Sequence, residues 1–195
     1  MWSFVMSDYL WVEKYRPQTI EDCILPSNMK DTFSQFISQG EIPNMLFSGP
    51  PGIGKTTVAK AICKELGLSS YVINGSDEGR FLDTVRNQAK QFASTVSLQA
   101  NGKPKVIIID EADNTTTDVQ LLLRASIEEF HRNCRFIFTA NYRNKIIEPL
   151  HSRCAVFDFS IPGKEKATIA TGFFNRVRLF LRRKMYSIIQ KLLQN

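Results

Sequence analysis

Apolar residues in this chain follow two rhythms, short unbroken runs and recurrences every three or four positions. The runs predict buried strands: Asn44–Ser48, Tyr71-Val72-Ile73, Val106–Ile109, Arg135–Thr139 and Ala155–Phe159. The longer rhythm predicts helices between them. From Ser27 as N-cap, Met29, Phe33, Phe36 and Ile37 share a face until Gly40. Thr56–Leu66 buries Val58, Ala59, Ile62 and Cys63, and Gly67 ends it. A helix over about 81–93 turns Phe81, Val85, Ala89, Phe92 and Ala93 inward. Val119, Leu122, Leu123, Ser126, Ile127 and Phe130 mark another, and Lys145–Leu150 a short helical piece. Strands alternating with amphipathic helices predict an α/β domain, a five-stranded parallel sheet covered on both faces. Such sheets take ligands at the carboxyl ends of their strands.

Residues 8–26 read as an extended arm broken by Pro17 and Pro26, and beyond Pro162 the pattern becomes helical without another strand. The expected division is therefore an arm over 1–26, an α/β domain over 27–161 and a helical segment over 162–195. A length of 195 residues with 43% apolar content suits one domain with its own core. The formal charge of +6 is unevenly spread: residues 164–195 carry +7 and the preceding 163 carry −1. The basic balance thus describes the tail, and nucleic-acid binding has to be argued from local patches. No apolar stretch approaches the roughly 20 residues that cross a bilayer, so no membrane partner is expected. Met1–Met6 lacks the basic lead of a secretory signal. Cys23, Cys63, Cys134 and Cys154 are scattered, which favours thiols over disulfides or zinc, and a cytoplasmic setting.

The candidate chemistry sits at strand ends. Gly49-Pro50-Pro51-Gly52-Ile53-Gly54-Lys55-Thr56 fits G-x-x-x-x-G-K-[ST] between a predicted strand and a predicted helix. Its glycines let backbone N–H groups face a polyphosphate, Lys55 supplies a charge for the β- and γ-phosphates, and the Thr56 hydroxyl is placed for Mg2+. Val106–Ile109 ends in Asp110-Glu111. Asp110 would hold the metal shell, and Glu111 would orient and deprotonate the attacking water. Asn141, after the fourth strand, suits a γ-phosphate sensor beside Asp110. Arg153, at the domain rim, suits an arginine finger reaching a neighbouring subunit's γ-phosphate.

Glu13-Lys14-Tyr15-Arg16-Pro17, the Gly49–Thr56 loop, Asp110-Glu111-Ala112-Asp113, Thr139-Ala140-Asn141 and Ser152-Arg153-Cys154 together resemble the clamp-loader ATPase subunits of the AAA+ superfamily. Replication factor C small subunits belong to that family. Glu21–Pro26 and Val72–Asp77 bring the likeness nearest to loader subunits of T4-type bacteriophages. It spans about residues 8–170. The resemblance implies a P-loop AAA+ fold with ATP and Mg2+ as cofactors. Val12, Glu13, Lys14, Tyr15 and Ile24 would line the adenine pocket, and Gly52, Ile53, Gly54, Lys55, Thr56 and Thr57 would hold the phosphates. It also implies a pentameric ring with other clamp-loader subunits, which opens a sliding clamp and closes it on primer–template DNA, in the cytoplasm of an infected bacterial host. Arg80, Arg86 and Lys90 are the implied DNA contacts; Arg86 and Lys90 share a helix face at i,i+4. A solvated basic face is the alternative for the same residues.

The likeness stops after about Val177, where Arg178–Asn195 reads as one basic amphipathic helix instead of a lid. The expectation is a partial lid, no collar domain, and a shortened or frame-shifted gene end, with weak self-assembly as the consequence. Asp110-Glu111-Ala112-Asp113 also spells an RNA-helicase box, but those enzymes need two tandem ATPase domains. Two readings stand beside the loader: another AAA+ DNA motor, such as a branch-migration helicase subunit, and a nucleotide-binding remnant without loading activity.

Overall fold

The structure is a computed structural model that describes residues 16–76, 87, 90–94 and 104–160. The described elements are α1 (Ser27–Gln39), β1 (Met45–Ser48), α2 (Lys55–Glu65), β2 (Ser70–Asn74), α3 (Lys90–Ser94), β3 (Lys105–Asp110), α4 (Thr117–Phe130), β4 (Cys134–Ala140), α5 (Glu148–His151) and β5 (Ala155–Asp158). All strand pairs are parallel, in the order β2-β3-β4-β1-β5. Inserting β4 between β1 and β3 sets two strand ends, Ser48 and Asp110, on either side of a third.

Alternation along the strands divides the core in two. Met45, Phe47, Val106, Ile108 and Ile137 face Phe33 of α1 and Val58 and Ile62 of α2. Leu46, Ile107, Ile109, Phe136 and Phe138 face Val119, Leu123 and Ile127 of α4. Both faces are covered, so the centres of β1, β3 and β4, at 45–47, 106–109 and 136–138, read as unbroken apolar runs. No cysteine forms a disulfide, and burial pushes the thiols of Cys63, Cys134 and Cys154 up to about 12. They pack as small apolar groups.

Two expected boundaries change. Helix α1 begins at Ser27 itself, with Pro26 in the capping position and no side-chain cap bond. Proline's fixed φ suits the extended backbone there, φ −53° and ψ 144°, and its carbonyl accepts the first helical bond, from Lys30 N at 3.0 Å. The helical piece expected at 145–150 is two pieces, a 3-10 turn over Arg143–Lys145 and α5 from Glu148. Ile146 and Ile147 between them are extended, because Pro149 suits only the first turn of a new helix.

Gln120 fastens this break. It is 2% exposed; its Nε2 donates to the Lys145 carbonyl at 3.0 Å and the Thr115 carbonyl at 3.4 Å, and its Oε1 accepts from Ile147 N at 2.9 Å. Apolar periodicity along α4 gives no hint of a buried amide. Gln120→Ala strands the Ile147 N–H and the Lys145 carbonyl, at about 2–3 kcal/mol for unmade buried bonds. A thermal melt should fall by roughly 5–10 °C. Expected helix and DNA residues Arg80 and Arg86 lie outside the described residues, as do the arm before Arg16 and everything after Ser160.

Candidate functional site: a phosphate loop facing an acidic strand end

The glycine-rich loop leaves β1 at Ser48 and enters α2 at Lys55. Gly54 caps α2 at φ 94° and ψ 15°, a left-handed conformation that a side chain would strain. The first N–H groups of α2 have no intrahelical partner and, with the helix dipole, favour an anion at this end. A cleft of about 360 Å³ opens there. Its walls are Arg16, Pro51, Gly52, Gly54, Lys55, Thr56, Thr57, Lys60, Asp110, Glu111, Thr139 and Asn141.

Lys55 is 7% exposed, and its ammonium donates to three acceptors: the Gly49 carbonyl at 2.7 Å, the Pro50 carbonyl at 2.8 Å and Asn141 Oδ1 at 2.9 Å. Burial holds its pKa below the usual lysine value, partly offset by the carboxylates of Asp113, Asp110 and Glu111. The expected sensor and the loop lysine are thus in direct contact. Thr56 Oγ1 donates to Asp110 Oδ1 at 2.6 Å. The two expected metal-side groups converge on the same side of the sheet, as a shared ligand requires.

Thr139 completes this centre. Its hydroxyl, 1% exposed, donates to the same Asp110 Oδ1 at 2.6 Å and accepts from Glu111 N at 3.0 Å. Asp113 is a second unforeseen part: 5% exposed, it accepts from Asn141 N at 3.1 Å and Tyr142 N at 3.2 Å, tying the sensor loop down. A polar residue closing an otherwise apolar strand was the signal for Thr139. Asp113 was hidden among neighbouring acids that face solvent equally well in sequence. Arg16 is the third: its Nη1 donates to Thr57 Oγ1 at 3.1 Å. The arm residues expected at the nucleotide stop one short of it, at Tyr15.

Glu111 has φ 54° and ψ 45°, the one positive-φ side chain among the described residues. Such a conformation costs on the order of 1–2 kcal/mol and tends to persist at functional sites. Its Oε2 accepts from Ser76 Oγ and from Asn114 Nδ2, the latter at 3.3 Å. Gly75 makes the approach of β2 possible: its N–H donates to the Asp110 carbonyl at 2.6 Å, and a Cβ there would lie 2.5 Å from the Glu111 carbonyl oxygen. Gly75→Ala must therefore displace the acidic strand end. Nucleotide turnover should drop roughly a hundredfold, read as kcat in a steady-state assay, since an ångström of misplacement is that costly.

The remaining expected residues lie apart. Ile53 keeps its backbone in the loop, and only its side chain turns away, against the core. Ile24 is partly buried between Cys23 and α1 and does not line the cleft. Val12, Glu13, Lys14 and Tyr15 are outside the described residues. Arg153 sits past α5, away from the cleft. Lys90 pairs with Glu129 of α4 at 3.1 Å. Among the described residues no helix is long and apolar enough to cross a membrane.

Comparison with known proteins agrees with this geometry. A family model described as "ATPase family associated with various cellular activities (AAA)" matches residues 45–161. The replication factor C small subunit of Methanocella arvoryzae is 43% identical over 175 residues, 87% of this chain and 53% of that protein. The sliding-clamp-loader large subunit of Escherichia phage RB69 is 44% identical over 160 residues, 81% of this chain and 49% of that protein. Among solved structures, the Thermotoga maritima RuvB Holliday junction branch migration motor superposes with a TM-score of 0.56 at 26% identity, covering 75% of this chain and 48% of that one. The chain spans about half the length of each of these relatives.

Proposed function

Because this chain belongs to the AAA ATPase family, we propose that it binds and hydrolyses ATP as a subunit of a DNA sliding-clamp loader. The observation carrying the reading is the convergence of Lys55, Thr56, Asp110, Thr139 and Asn141 on one cleft, through the Lys55–Asn141 and Thr56–Asp110 contacts. Identity of 43–44% to loader subunits, against 26% to the branch-migration motor, supports the loader over the other motor.

The proposed mechanism follows from the contacts. Triphosphate oxygens take over the donors of Lys55 from the Gly49 and Pro50 carbonyls and lie on the N–H groups of Gly52, Ile53, Gly54, Lys55, Thr56 and Thr57. Thr56 and Asp110 supply hard oxygen donors that fit Mg2+, which, when bound, neutralises charge developing on the transferred phosphoryl group. Thr139 holds Asp110 in place. Glu111 exchanges Ser76 and Asn114 for the attacking water and accepts its proton, while Asn141 reports the γ-phosphate to the Asp113-anchored loop. Adenine is assigned to Val12, Glu13, Lys14, Tyr15 and Ile24, and the DNA backbone to Arg80, Arg86 and Lys90. Arg153 acts on the ATP of the next subunit in a ring with other loader subunits, around a sliding clamp and primer–template DNA, in an infected bacterial cell.

The test is ATP turnover with and without a sliding clamp and primer–template DNA. Stimulation by both together supports loading. Strand separation on branched DNA would favour the branch-migration reading, and binding without turnover the nucleotide-binding remnant.

A further inference from the structure

Arg153 is tied down more firmly than an isolated surface arginine. Its Nε and Nη2 both donate to Glu128 Oε1, at 2.9 and 2.6 Å. Its Nη1 donates to the Pro149 carbonyl at 2.9 Å and reaches Ser152 Oγ at 3.3 Å. The anchors come from the last turn of α4, from α5 and from the residue before the arginine. Arg124 also turns its Nε toward Glu128 Oε1, at 4.0 Å. The Arg153 side chain nevertheless keeps 33% of its surface in solvent.

A half-exposed carboxylate on one guanidinium contributes little to stability. Its effect is on rotamers: a free arginine side chain samples many, and fixing one has an entropic cost of up to about 2 kcal/mol. With the Nε–Nη2 edge on Glu128 and Nη1 on Pro149, that cost is met before any phosphate arrives. One Nη2 N–H is left without an acceptor to meet it, and Nη1 joins it by giving up the long contact to Ser152 Oγ. Resting on the reading of Arg153 as a finger for the neighbouring subunit, we propose that Glu128 is a positioning residue for that finger. It sets the guanidinium's direction at the rim without touching nucleotide.

Steady-state ATPase of the full chain, at protein concentrations where turnover per subunit has reached its plateau, tests this. Arg153→Ala should lower kcat by roughly 10³-fold. Glu128→Ala should lower kcat about tenfold with KM for ATP unchanged, because affinity is set by the loop around Lys55, in a cleft that Arg153 does not line. Glu128→Gln, which keeps one acceptor oxygen, should lose only about threefold. The Arg153→Ala/Glu128→Ala double variant should match Arg153→Ala alone, since Glu128 acts only through Arg153. Melting temperatures of the Glu128 variants should stay within about 2 °C of the parent. A double variant clearly slower than Arg153→Ala, or wild-type kcat in Glu128→Ala while Arg153→Ala is impaired, overturns the positioning role alone. Unimpaired Arg153→Ala removes the finger reading, and this proposal with it.

Discussion

Glu111→Gln should bind ATP as the parent chain does and hydrolyse it roughly 10²–10⁴-fold more slowly, the range that a positioned general base supplies. The amide keeps the shape of the carboxylate and can still face Ser76 and Asn114, so the left-handed backbone at φ 54° is undisturbed. What it loses is the capacity to take a proton from water. Titration calorimetry for binding and single-turnover hydrolysis for the chemical step separate the two effects. Equal loss in both would mean that Glu111 shapes the cleft instead of serving as its base.

Lys55→Ala should lose nucleotide affinity itself. Charge-assisted bonds to a triphosphate are worth at least about 2 kcal/mol, so Kd should rise by roughly 30-fold or more, with turnover lost alongside. The change also leaves the Gly49, Pro50 and Asn141 oxygens without the ammonium donor. Burial lowers the pKa of Lys55, which means the folded state penalises the charged ammonium relative to the unfolded chain. The penalty is fully present below the folded pKa and fades as pH rises toward the ordinary lysine value, so parent stability should climb across that alkaline window. Lys55→Ala lacks this climb, and its melting temperature should stay flat across that window. Thermal melts across pH check the sign.

These expectations rest on residues of unequal legibility. β1, β3 and β4 could be read from sequence because burial on both faces leaves runs such as Val106–Ile109 with no polar interruption. Strand order could not, since periodicity says which residues are buried and not which strand lies beside which. Yet that order decides the chemistry: β4 between β1 and β3 brings Thr139 against Asp110 and Asn141 against Lys55. The loop motif, the acidic pair and the sensor amide were visible because their chemistry demands particular residue types at strand ends. Thr139, Asp113, Gln120 and Glu128 were not, because each acts through a partner far along the chain. Asp113, for instance, looks like one more solvated acid until its two backbone donors, Asn141 and Tyr142, are seen. Ser27 and the 145–150 segment went astray where a proline, Pro26 or Pro149, outweighed the local pattern.

The most direct measurement is a crystal structure of the chain with Mg2+ and a non-hydrolysable ATP analogue. The account predicts the γ-phosphate on Lys55 and Asn141, with the metal reached from Thr56 and from Asp110, directly or through water. A triphosphate bound outside the Gly49–Thr56 loop, or a metal shell that leaves Asp110 uninvolved, would contradict it.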